Sequence, residues 1–158
     1  MRLTLLAVGR AKDGALRELY EDFAGRLQPR GGPLGPLTLK EVEERRPLAP
    51  AELRRREAEL LRAAIPAGAR VIALDARGKA LSSEDFAARL GRWRDEGVAE
   101  TAFLIGGAEG LDGALRDGAD LVLSLGAMTW PHLLVRVLLA EQLYRAQTIL
   151  TGHPYHRG

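Results

Sequence analysis

Thr101-Ala-Phe-Leu-Ile-Gly-Gly-Ala-Glu-Gly110 decides the fold class. Its first half is a short apolar run without polar alternation, so a strand here is buried on both faces. It runs straight into a glycine-rich turn, where backbone can approach a ligand closely. A strand covered on both sides needs helices above and below it, which predicts an α/β domain with a mainly parallel sheet.

The flanking sequence fits. On the N-terminal side, Val71-Ile-Ala-Leu-Asp75 is an apolar strand with an acid at its end, followed by Ala76-Arg-Gly-Lys79. Ser82 with Asp85 resembles a capping box and opens a helix carrying Phe86, Leu90 and Trp93. On the C-terminal side a short helix is expected near Leu111 to Asp117, then a strand at Leu121 to Ser124. Further out, Leu3 to Gly9 reads as a buried first strand. Ala15 to Leu27 reads as a helix with Leu16, Leu19, Tyr20, Phe23 and Leu27 on one face. Pro29 to Pro36 is a loop by composition, Leu37 to Val42 alternates like a strand, and Glu43 to Pro50 is a polar surface loop. Ala51 to Ile65 is a helix rich in arginine and glutamate. Its Arg54-Arg-Arg56 is either a solvated face or an RNA-facing one.

One domain is expected at 158 residues, with an apolar fraction of 46% suited to an ordinary core. No window approaches the ~20 apolar residues of a membrane span. The start is too short an apolar run for a signal peptide and reads better as the first strand. There is no cysteine, which removes disulfides, thiolate nucleophiles and cysteine metal sites, and fits a cytoplasmic protein. Net charge is +2, and all but three of the 23 cations are arginine. Arginine forks match phosphate and stack on bases, although a GC-rich genome gives the same bias.

In open parallel sheets, ligands sit beyond the carboxyl ends of the strands. Three such ends carry suggestive residues: Leu74-Asp75, Gly106-Gly107 and the run Leu125 to Trp130. That last run, Leu125-Gly-Ala-Met-Thr-Trp-Pro-His132, leads into a helix expected to reach Gln147. The chain closes on His153-Pro-Tyr-His-Arg157, which holds two of its three histidines. The helix is apolar nearly all round and so must be buried on all sides. A second subunit is a natural cover for its outer face. Glu141 and Arg145, four apart, can pair.

Several chemistries find no support. Gly106 to Gly110 lacks both the G-x-G-x-x-G spacing and the Lys-Ser/Thr ending of a P-loop. Gly9-Arg-Ala-Lys-Asp-Gly14 is no dinucleotide fingerprint either, which argues against a nucleotide-dependent oxidoreductase. No metal-ligand spacing occurs. There is no nucleophile elbow, and Ser124 reads as the end of a strand.

Leu104-Ile-Gly-Gly-Ala-Glu-Gly110, Leu125 to His132, Leu134-Val-Arg-Val-Leu138, Ala140-Glu-Gln-Leu-Tyr-Arg-Ala146 and His153 to Arg157, in this order, resemble the ribosomal large-subunit methyltransferase H family. That family belongs to the SPOUT class of knotted methyltransferases. The resemblance spans the chain and implies an α/β sheet whose C-terminal part forms a trefoil knot, an exception to the rule against knots. It implies S-adenosylmethionine as cofactor, bound by Leu74, Gly106, Leu125, Gly126, Ala127, Met128, Thr129 and Trp130. It implies methylation of N3 of a pseudouridine in helix 69 of 23S rRNA on the assembled 70S ribosome, by a homodimer with neither metal nor membrane partner. Departures are modest: Gly126 stands where serine is common, Trp130 where leucine or phenylalanine is, and Ala108 where proline is.

Such a transfer needs no covalent intermediate and rests on positioning the base nitrogen, with a cation stabilising the developing negative charge. Arg136, Tyr155, His156 and Arg157 are the candidates to hold the base, and His132 or His156 to take its proton. The tail is expected at the open side of the cofactor pocket. The alternative, a catalytically inactive knotted factor that only binds the ribosome, would be expected to lack the tail or the Leu125 to His132 loop, and both are present.

Overall fold

Along β1 (Arg2–Val8) the side chains divide by parity. Leu3, Leu5 and Ala7 enter one core, while Leu6 and Val8 enter another. That two-sided burial is why the strand reads as an unbroken apolar run. The computed structural model describes residues 1–28, 30 and 32–157. Pro29 and Gly31 of the expected loop lie outside the described residues.

After β1 come α1 (Ala15–Arg26), β2 (Leu37–Val42), α2 (Pro50–Ala64), β3 (Arg70–Ala80), α3 (Ser83–Asp95), β4 (Glu100–Ile105), α4 (Gly113–Asp117), β5 (Leu121–Ser124) and α5 (His132–Thr151). A single 3-10 turn, Pro154–Arg157, ends the described chain. The sheet order is β2-β1-β4-β3-β5, and every neighbouring pair is parallel. The larger core joins one sheet face to α1, α3 and α5, and the smaller joins the other face to α2 and α4. From β1 the chain moves outward to β2; from β4 it moves the opposite way to β5. Strand order therefore reverses between β1 and β4, where ligand crevices form in open α/β sheets.

Local chemistry sets the helix ends. Pro50 opens the first turn of α2, where its missing N–H costs nothing. The Ser82 hydroxyl accepts from the Asp85 N–H at 3.0 Å and caps α3. Asp112 accepts from Ala114 and Leu115 at the start of α4.

Three expectations need correction. The terminal helix passes Gln147 and stops at Thr151, because the left-handed position that ends it is Gly152, with φ 71°. On α1, Tyr20 and Leu27 are buried, but Leu16 and Leu19 are 38% and 44% exposed, so the apolar stripe is wider than the face the core covers. β3 does not stop at Asp75. Its pairing with β5 breaks after Leu74 and resumes at Lys79. A Cβ on Gly78 would stand 2.5 Å from the Val122 carbonyl oxygen, so only glycine fits where the strand re-pairs.

Candidate active site

The loops beyond β3, β4 and β5 enclose a cavity of about 430 Å³, within the ~300–1,000 Å³ usual for small-molecule sites. Leu74 comes from β3, Gly106 from the end of β4, and Leu125, Gly126, Met128, Thr129 and Trp130 from the loop after β5; all line it. Ala127, the other residue of that run, is exposed and off the wall. His132 and Val135, in the first turn of α5, close one side. Sequence reading missed the apolar floor of Ile105, Leu111 and Leu123, which looked like ordinary core.

The glycine turn is tight. A Cβ on Gly106 would lie 2.6 Å from the Gly110 carbonyl carbon, and Gly110 donates its N–H to the Gly107 carbonyl at 3.0 Å. The loop after β5 is pinned at its root by Ser124. Its hydroxyl accepts from the Gly126 N–H at 3.1 Å and is also 3.1 Å from the carbonyls of Ala76 and Gly126. The Trp130 indole N–H donates to the Leu125 carbonyl at 3.4 Å. Met128 is 73% exposed and Trp130 40%, so the mouth offers apolar and aromatic surface.

Asp75 adds a negative charge to this wall. Arg77 donates to its carboxylate through two side-chain bonds at 3.1 Å and through its backbone N–H at 2.8 Å, and Arg116 lies 3.6 Å away. The Arg77 pairing, joined by Arg116, holds the carboxyl below its ordinary value despite partial burial. A second carboxyl lies beneath the glycine turn: Glu57 of α2 is 6% exposed, and its Oε2 is 2.8 Å from where a Cβ on Gly107 would stand. Its Oε1 has no hydrogen-bond partner among the described residues. Burial, with nearby Glu109, raises this carboxyl above its ordinary value. Among the described residues no group of three or more His, Cys, Asp or Glu could hold a metal.

Arg136 does not line this cavity. It is 2% exposed; its Nη1 donates to Glu41 Oε2 at 2.7 Å, and its Nη2 to the Val8 and Gly9 carbonyls at 3.2 and 2.9 Å. In these bonds it braces α5 against the ends of β1 and β2. His132 stays at the cavity, 4.0 Å from where a Cβ on Gly9 would stand, at the point where strand order reverses.

The tail does not reach the cavity of its own chain either. No residue of His153 to Arg157 lines it. Beyond the C-terminal end of α5 the tail turns back along the helix as far as Glu141, ~14 Å of helix from His132. There the Tyr155 hydroxyl donates to Glu141 Oε1 at 3.0 Å, the Tyr144 and Tyr155 rings are 4.7 Å apart, and Arg145 lies over the Tyr155 ring. Burial and the bond to Glu141 raise the Tyr155 phenol above its ordinary value. His156 Nδ1 is buried with no hydrogen-bond partner among the described residues, and Arg157 is exposed. Of the arginine triplet on α2, Arg56 is paired with Glu44 and Glu59.

A family model described as "Predicted SPOUT methyltransferase" matches residues 1–156. The chain is 59% identical to Ribosomal RNA large subunit methyltransferase H of Rhodospirillum centenum and 58% identical to that of Paramagnetospirillum magneticum, each alignment covering 99% of both chains. Among solved structures, a methylase family protein from Neisseria gonorrhoeae superposes with a TM-score of 0.51 over 90% of this chain and 81% of that one. At 11% identity that likeness concerns the fold alone.

Proposed function

The chain belongs to the SPOUT methyltransferases, in the family of the ribosomal RNA large subunit methyltransferase H proteins, and from that premise we propose that it methylates N3 of a pseudouridine in helix 69 of 23S rRNA, using S-adenosylmethionine, on the assembled 70S ribosome in the cytoplasm. The observation that carries this reading is the single cavity on which three strand-end loops converge. Its walls fit the cofactor: Leu74, Leu125 and the tight Gly106 turn provide apolar surface and close backbone for an adenosine. When bound there, S-adenosylmethionine supplies an electrophilic methyl group.

The protein's own residues then have limited tasks. The Gly106 and Leu125–Trp130 loops exclude water and fix the ligand's orientation, so that the attacking nitrogen meets the methyl in line. His132, on the cavity wall, accepts the proton leaving the base. Arg136 acts at one remove, fixing the start of α5 on which His132 stands. Tyr155, His156 and Arg157 would serve the cavity of a second copy of the chain, which a homodimer supplies. Leu134 and Leu138 are half-buried and outside both core clusters, which leaves the outer stripe of α5 for that contact. We assign the C-terminal segment that follows β5 to the trefoil knot of the class. An inactive ribosome-binding factor would have no use for a cavity with an ionised acid and a histidine on its wall.

Mass spectrometry of 23S rRNA from cells with and without the gene tests the reading, together with labelled methyl transfer by the purified protein to 70S ribosomes and to separated subunits. The methyl group should vanish from helix 69 without the gene, and transfer should require 70S particles. A mark that persists in the deletion strain would overturn the proposal.

A further inference from the structure

Glu57 is a buried acid that the transfer reaction does not use. On α2 it is buried together with Ala58 and Leu61, both of which enter the smaller core. An apolar residue would be ordinary at that position. The carboxyl is instead 6% exposed, Oε1 has no hydrogen-bond partner among the described residues, and the one charge acting on the group is the like charge of Glu109. A buried acid with neither partner nor counter-charge destabilises a fold. Local rules broken in this way are expected where function holds the residue in place.

Its position points to that function. The carboxyl fills the space in which a side chain at position 107 would stand: a Cβ there would lie 2.8 Å from Oε2, 3.4 Å from Oε1 and 3.0 Å from Val8 Cγ1. Gly107 is not among the glycines with positive φ, so space rather than backbone conformation demands glycine here. Gly107 also lines the cofactor cavity, between Gly106 and Ala108, and accepts the Gly110 N–H that closes the turn. One backbone without a side chain therefore separates the carboxyl from the cavity. Because Gly107 is bonded to Gly110, whatever it rests on places the whole turn.

We propose that Glu57 is a positioning residue for the cofactor: its carboxyl is the support behind Gly107 and sets where the Gly106–Gly110 turn stands in the cavity wall. The inference rests on the S-adenosylmethionine reading above. No hydrogen bond joins the carboxyl to the turn among the described residues, so its volume, more than its charge, does the positioning. The ligand itself never touches Glu57.

A double-mutant cycle tests the contact, with calorimetric Kd for S-adenosylmethionine and its demethylated product as the readout. Gly107→Ala drives a methyl group into the carboxyl and should raise both Kd values by ~10-fold or more. Glu57→Ala leaves a void behind the turn and should raise them by ~3–10-fold. Its melting temperature should not fall, because the void is offset by removal of an unpartnered acid. In the double variant the new methyl occupies the vacated space, and both Kd values should return to within ~3-fold of the parent. Glu57→Gln keeps the shape and should bind within ~2-fold of the parent. Losses that simply add in the double variant, or parental affinity in Glu57→Ala, would overturn the inference. If Gly107→Ala does not fold, equal affinities in Glu57→Ala and Glu57→Gln would overturn it as well. A parent protein that binds neither ligand would instead sink the cofactor reading, while the same cycle in melting temperature would still report whether Gly107 rests on Glu57.

Discussion

The two ends of α5 each hold an arginine paired to a glutamate, and the two pairs sit in different surroundings. At the N-terminal end, Arg136 and Glu41 are 3% and 24% exposed, and the arginine also binds two backbone carbonyls. At the C-terminal end, Arg145 and Glu141 are 23% and 20% exposed and share their contact with Tyr155. The first pair joins the helix to strands 95 residues away in sequence, beside the cavity. The second stays within one helix and its tail. Rigid support therefore lies beside the cavity, and the tail is held by contacts with its own helix. That division suits a site assembled from two copies.

Arg136→Leu should produce the largest effect. Removing one member of a buried ion pair costs ~3–5 kcal/mol, because Glu41 and two carbonyls lose their donor. Arg145→Ala, at the more exposed pair, should cost under ~1 kcal/mol. Urea unfolding of both proteins measures the contrast, and equal losses would erase it.

Next in size is the tail. Deleting residues 153–158 should lower methyl transfer to 70S ribosomes by ~10²-fold or more, with S-adenosylmethionine affinity unchanged. Mixing this protein with a Gly106→Val protein, whose cavity is closed, should restore activity, since the mixed dimer holds one intact cavity and one intact tail. Full-rate methylation by the truncated protein would remove the tail from the site, and no recovery on mixing would return it to its own chain.

Leu134→Glu places a charge on the outer stripe of α5. Each leucine buried there is worth ~1.5–3 kcal/mol, so light scattering at micromolar concentration should shift from dimer to monomer mass. A dimer that survives the substitution points to another interface.

The smallest effect is expected at Glu57. Its carboxyl is raised in the fold, so the group stabilises the protein below its unfolded-state pKa and loses that contribution as pH rises through the folded one. Glu57→Gln should therefore raise the melting temperature at pH 7, by about 2 °C on the scale of ~1 kcal/mol or less for a domain this size, and leave it unchanged near pH 4. A benefit that persists at pH 4 would place the cause in packing rather than charge.

Much of this was visible along the chain. The apolar runs of β1, β4 and β5 marked strands buried on both faces, and glycine or acid at their ends marked the edge where a ligand sits. Seven of the eight residues expected to hold the cofactor line the cavity, all but Ala127. Arg136 stands alone in an apolar run and reads as a site residue; nothing local names Glu41 as its partner. Glu57 sat in a helix of alternating charge and looked like any solvated residue.

Sequence determined what depends on neighbours in the chain: strand and helix periods, the caps at Ser82 and Asp112, the helix stop at Gly152 and the family motifs. Tertiary structure decided what depends on residues far apart: that Arg136 is a brace, that His132 lines the cavity, and that the chemically rich tail folds back on Glu141 instead of lining the cavity it was expected to serve. The physical reason is that a 20-residue helix is rigid and fixes the distance between its ends. The motifs at those ends record only that both are needed, and carry no information on which chain's cavity each one meets.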